Sequence, residues 1–134
     1  MTRYAIDAPV AVRIVREGLT VADGHQLVGP NLLRSDALSL LYREFRDVEM
    51  SIGARRRLLD GLAELRIRLL GDRVSRAIAW EIAARLGWED TYRAEYLAVA
   101  QLQADVLVTQ DPQLAQGAEG IVPVVGIDAL TSAG

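Results

Sequence analysis

Asp7, Asp36 and Asp111 are the residues of this 134-residue chain whose types and settings best suit chemistry. Asp7 closes the apolar run of Tyr4, Ala5 and Ile6, and Asp111 follows Thr109 and Gln110 at the end of Val106, Leu107 and Val108. Each therefore stands where a buried strand gives way to polar residues. Asp36 lies three residues after Leu33 and four before Leu40, on the apolar face of a helix, so its side chain points inward. Taken singly, each aspartate has a plainer reading as a helix cap or turn residue. Brought together, three carboxylates repel one another and hold on to protons unless a cation compensates them. Oxygen-only ligands suit Mg²⁺ or Mn²⁺ better than zinc.

The rest of the composition removes competing chemistries. There is no cysteine, which excludes disulfides, thiolate zinc sites and a cysteine nucleophile and is compatible with a reducing cytoplasm. All fifteen basic residues are arginine, so a phosphate-binding P-loop, which needs a lysine, is excluded. His25, the single histidine, falls in a polar connection with Asp23 and Gly24 and reads as a surface residue. No GxSxG element accompanies it. A net charge of −3 argues against a protein that coats nucleic acid through bulk electrostatics. Arg55, Arg56, Arg57, Arg66, Arg68, Arg73 and Arg76 still make the middle of the chain its most basic part, as a solvated helix surface or as phosphate contacts. No apolar run reaches about 18 residues, and MTRYAID leads straight into a strand pattern, so neither a membrane span nor a signal peptide is expected. Trp80 and Trp88 have apolar neighbours and read as core packing or a dimer contact.

These acids need a scaffold, and the pattern supplies one. A strand over residues 4–6 ends at Asp7, and Pro9 starts a helix that Gly18 stops. Pro30 and Asn31 open a second long helix with Leu33, Ala37, Leu40, Leu41, Phe45 and Val48 on one broad face. A third begins at Gly53. Residues 66–70 fit either its end or a short strand. Asp72 caps a helix that ends near Gly87, and Asp90 or Thr91 caps the next, which feeds the buried strand at 106–108. A short helix or turn follows Asp111, and residues 121–125 form a last strand, edge-like because of Pro123. Strands alternating with helices predict a single α/β domain over residues 1–134, a central parallel sheet flanked by helices on both faces. In such folds ligands gather at the carboxyl ends of the strands.

Across nearly its whole length the chain resembles the PIN-domain family, most closely the VapC-type toxins of bacterial toxin–antitoxin pairs. The resemblance rests on YAID at 4–7, PNLLRSDALSLLYR from Pro30, TYRAEYLAVAQLQADVLVTQD from Thr91, and the closing IVPVV. It implies the PIN-like three-layer fold, with Asp7, Asp36 and Asp111 as catalytic metal ligands and Thr109 placing a water or a ligand carboxylate. The family's usual glutamate is shortened to an aspartate at Asp36. The family's remaining acid follows a tyrosine at a helix start, where this chain reads YRAEY and places Arg93. That exchange replaces a negative ligand by a permanent cation that cannot coordinate metal. With Arg93 turned in, the site falls from about −3 to about −2, which weakens Mg²⁺ binding.

Neighbouring acids are poor substitutes for the missing one. Asp90 lies one turn before Arg93 and is a candidate ligand, but it is also the natural helix cap. Glu95 faces about 200° away from Arg93, and Glu44 is about 12 Å along the helix from Asp36. Arg93 itself has three readings: a phosphate contact, a partner tied to a carboxylate, or an outward-pointing side chain. By resemblance the chain is a cytoplasmic, Mg²⁺- or Mn²⁺-dependent endoribonuclease acting on single-stranded or structured RNA. It would form a homodimer, be silenced by a cognate antitoxin and have no membrane partner. The Arg93 exchange supports a second class: a catalytically degenerate relative that works by binding an antitoxin, RNA or itself.

Overall fold

A computed structural model describes residues 1–132. Its elements run β1 (Thr2–Ile6), α1 (Ala8–Glu17), β2 (His25–Pro30), α2 (Leu33–Phe45), α3 (Ile52–Glu64), β3 (Ile67–Leu70), α4 (Arg73–Leu86), α5 (Tyr92–Gln103), β4 (Val106–Val108), α6 (Pro112–Gly117), β5 (Val124–Val125) and α7 (Asp128–Thr131). The five strands form one sheet in the order β3-β2-β1-β4-β5, and every pairing is parallel. The α/β class with a helix-flanked parallel sheet is therefore as expected.

The connections fix where the helices go. From β1 the chain steps to β2 and then β3 on one side, and later crosses back to β4 and on to β5 on the other. Right-handed crossovers then put α1, α2 and α3 on one face and α4 and α5 on the opposite one. The direction of travel reverses between β1 and β4, and a crevice opens at the carboxyl ends of strands at such a reversal. Ile6 pairs with Val108 in register. The next residues, Asp7 and Thr109, consequently emerge side by side.

Local sequence explains most boundaries. Asp7 caps α1 by accepting a hydrogen bond from the Val10 amide, and Gly18 ends it in the left-handed region at φ 62°. Asp72 and Ser75 form a reciprocal capping box at the start of α4, and Gly87 terminates it at φ 70°. The apolar girth of α5 is buried from Tyr96 through Ala100. Arg34, on α2, donates to the Leu62 and Leu65 carbonyls at the end of α3, which fixes these two helices against each other.

Three expectations are corrected. The polar connection after α1 holds a full strand, β2, which is interior to the sheet. Its apolar run of Leu27 and Val28 is too short to show a period, and the strand exists because it pairs with neighbours on both sides. Pro30 accordingly ends β2 and does not open α2, which begins at Leu33 and stops at Phe45, leaving Val48 outside it and exposed. The last strand holds only residues 124–125, because Pro123 has no N–H for a ladder and contributes only its carbonyl, which accepts from Leu107. Of residues 66–70, which fit either a helix end or a short strand, residues 67–70 form edge strand β3. Among the described residues no helix is long and apolar enough to cross a membrane.

Candidate functional site

The three aspartates reach one recess. Asp7 leaves β1, Asp111 follows β4, and Asp36 comes across from the first turn of α2; all three line a cavity of about 270 Å³ at the sheet reversal. That volume suits an ion and a phosphate better than a drug-sized ligand. A larger recess of about 530 Å³ lies at the other end, by His25 and the end of α1, and none of the expected site residues lines it.

Thr109 joins two of the acids. It is buried, its hydroxyl donates to Asp7 Oδ2 at 2.5 Å, and its Oγ1 accepts from the Asp111 amide at 3.0 Å. One side chain at a strand end thus sets the position of a carboxylate and of the backbone that carries another. Burial pushes the Asp7 carboxyl above its ordinary value despite the Thr109 and Val10 hydrogen bonds, and the charge of Asp111 pushes the same way.

Arg93 is tied to a carboxylate, one of its three readings. Its Nε donates to Asp111 Oδ2 at 2.8 Å, while the Gln113 amide donates to Asp111 Oδ1 at 3.0 Å. Burial raises the Asp111 carboxyl, but the Arg93 hydrogen bond, the amides and the guanidinium charge outweigh it and hold the group below its ordinary value. Asp36 accepts from the Tyr96 hydroxyl at 2.8 Å. Burial, that hydrogen bond and the surrounding carboxylates push the Tyr96 phenol strongly upward, so it stays a proton donor.

The remaining candidates lie outside this group. Asp90 accepts from the Tyr92 amide at 3.2 Å and lines a neighbouring recess, consistent with a capping role. Glu44 bonds Arg16 at 2.7 Å. Glu95 is not among the residues that line the recess; burial raises its carboxyl, the charge of Asp36 adds to that, and Arg76 opposes it. His25 is not a free surface residue. Its Nε2 lies 2.8 Å from the Ser132 carbonyl oxygen, an acceptor, so Nε2 carries the proton; Nδ1 is buried without a partner among the described residues. Trp80 is exposed, and Trp88 packs partly buried against the core.

Two further residues of the recess carry no signal of their own in the sequence. Tyr96 is three residues after Arg93, on the same helical face, and Arg43 is two turns after Asp36; both line the recess. Helical spacing from Arg93 points to Tyr96, and spacing from Asp36 points to Arg43.

The chain shares its fold with a solved protein. It superimposes on the crystal structure of PAE2754 from Pyrobaculum aerophilum with a TM-score of 0.69 and 22% identity, over 97% of this chain and 94% of that one. No protein-family model matches the sequence, and no curated protein matches it.

The donor set fits a hard divalent cation in kind. The side chains that could ligate an ion offer oxygen only, foremost the carboxylates of Asp7, Asp36 and Asp111. The arrangement of the side chains is not that of a closed ligand set: among the described residues no three acids stand close enough to hold one ion. Asp111 instead bonds Arg93.

Proposed function

We propose that this chain is a PIN-like endoribonuclease of the VapC type, acting on RNA phosphodiesters with Mg²⁺ or Mn²⁺ at Asp7, Asp36 and Asp111, and attenuated by Arg93. The observation that carries the reading is that three acids, far apart in sequence, line one recess at the strand-order reversal, although as they stand they do not close around one ion. A divalent ion there would supply a nucleophilic water at neutral pH and neutralise charge developing on the phosphate.

The protein's own part is positioning. Thr109 holds Asp7 and the Asp111 backbone at a fixed spacing, and Tyr96 holds Asp36. Arg43 and Arg93, which line the same recess, supply cations for an RNA phosphate. The wider reading follows the resemblance: a cytoplasmic toxin, dimeric, restrained by a cognate antitoxin and acting on single-stranded or structured RNA. The Arg93–Asp111 bond favours a second reading, a degenerate relative that binds RNA, an antitoxin or its own copy without cutting.

Cleavage of a mixed single-stranded RNA pool, together with calorimetric Mn²⁺ titration, separates the two. The nuclease reading expects weak Mn²⁺ binding and slow Mn²⁺-dependent cleavage by the wild type, both lost in Asp7→Asn. Arg93→Asp should strengthen ion binding by about tenfold or more and speed cleavage. If neither the wild type nor Arg93→Asp cuts RNA, the nuclease reading fails, and the binding-only reading stands only if calorimetric titration with the same RNA pool detects binding.

A further inference from the structure

The Arg93–Asp111 pair supports an inference that rests on the nuclease reading above and concerns how its site is loaded. The Arg93 side chain is 49% exposed, against 24% for Asp111, and its bond to Asp111 is donated by Nε. An ion pair this open to water is weak. Arg93 also borders two adjoining recesses, the acid-lined one and the one beside Asp90 and Gln113.

Asp111, by contrast, does not depend on Arg93 for its place. Its amide is fixed by Thr109 Oγ1, and its Oδ1 accepts from the Gln113 amide. The Asp111 amide and Oδ1 therefore stay tethered when the guanidinium leaves, and Oδ2 is released. Three aspartates and two arginines line the recess. A free divalent ion entering it must compete with an arginine already on one of its ligands. A phosphate offers that arginine an equivalent anionic partner and draws it off.

We propose that Arg93 is an exchangeable counter-ion, which holds Asp111 in the free protein and passes to a phosphate of an incoming RNA strand, freeing Asp111 for the divalent ion. RNA and ion then bind cooperatively, and linkage requires each to raise the affinity of the other by the same factor.

The test is Mn²⁺ calorimetry on the full chain, with and without a short single-stranded phosphorothioate RNA and after subtracting ions bound by the RNA alone. In the wild type, the RNA should raise Mn²⁺ affinity by about fivefold or more. The same sequence with uncharged methylphosphonate linkages should not. Arg93→Gln should bind Mn²⁺ alone more tightly than the wild type and lose the coupling. Equal wild-type affinities with and without RNA overturn the exchange, as does coupling that survives in Arg93→Gln. A wild type that binds Mn²⁺ and RNA without coupling sinks the exchange and leaves the nuclease reading standing. Failure of the wild type and of Arg93→Gln to bind the RNA sinks both.

Discussion

Asp7 carries the electrostatic cost of the site. It caps α1, accepts from Thr109 and is buried, and its carboxyl lies above the unfolded value of 3.8. The folded protein therefore binds this proton more tightly than the unfolded chain does. The resulting stability is fully present below pH 3.8 and is lost as pH rises through the folded value. Asp7→Asn imitates the protonated form and keeps the cap. Urea denaturation without added divalent ions should give the variant a higher midpoint than the wild type at neutral pH, with the difference vanishing in acid. A lower midpoint at neutral pH would mean that the Asp7 charge is compensated. An acid closing an apolar run is a local signal that singles out Asp7 and Asp111, whereas Asp36 is singled out by its spacing from Leu33 and Leu40 on one helix face. The direction of Arg93 was not legible, since a guanidinium at a helix start reaches a carboxylate, a phosphate or solvent equally well from sequence alone.

The elements differ in how far local sequence specifies them. Helix α4 announces both its ends, through Asp72 and Gly87, and was legible throughout. Strand β2 shows almost nothing locally, because a central parallel strand is defined by the neighbours on its two edges. Strand β4 lies between these cases: three residues long, it is readable from the run of Val106, Leu107 and Val108, yet it sets Thr109 and Asp111. Leu107 is fully buried there, so Leu107→Ala should cost about 2–5 kcal/mol in chemical denaturation. A loss well under 1 kcal/mol would show that the sheet does not depend on this strand's packing.

At the scale of the molecule, the reversal of strand order gathers the acids. Asp7 and Asp111 are more than a hundred residues apart in sequence, yet they lie at the ends of adjacent parallel strands with Thr109 between them. Alternating strands and helices make the parallel sheet legible, and with it the strand ends that carry Asp7 and Asp111; the strand order, which decides which ends are neighbours, follows from crossovers that no local pattern encodes. The opposite end of the sheet carries the recess by His25, with none of these acids. A paramagnetic ion distinguishes the two ends. In amide NMR spectra of the full chain titrated with Mn²⁺, signals from Ala8 and Ser39, which line the acid recess, and from Gln113 beside Asp111 should broaden first, while those of Ile14, Gly24 and Glu64, which line the recess by His25, persist. Broadening that begins around His25, or none near Asp7, Asp36 and Asp111 at millimolar-scale Mn²⁺, would contradict the assignment of this recess as the ion site.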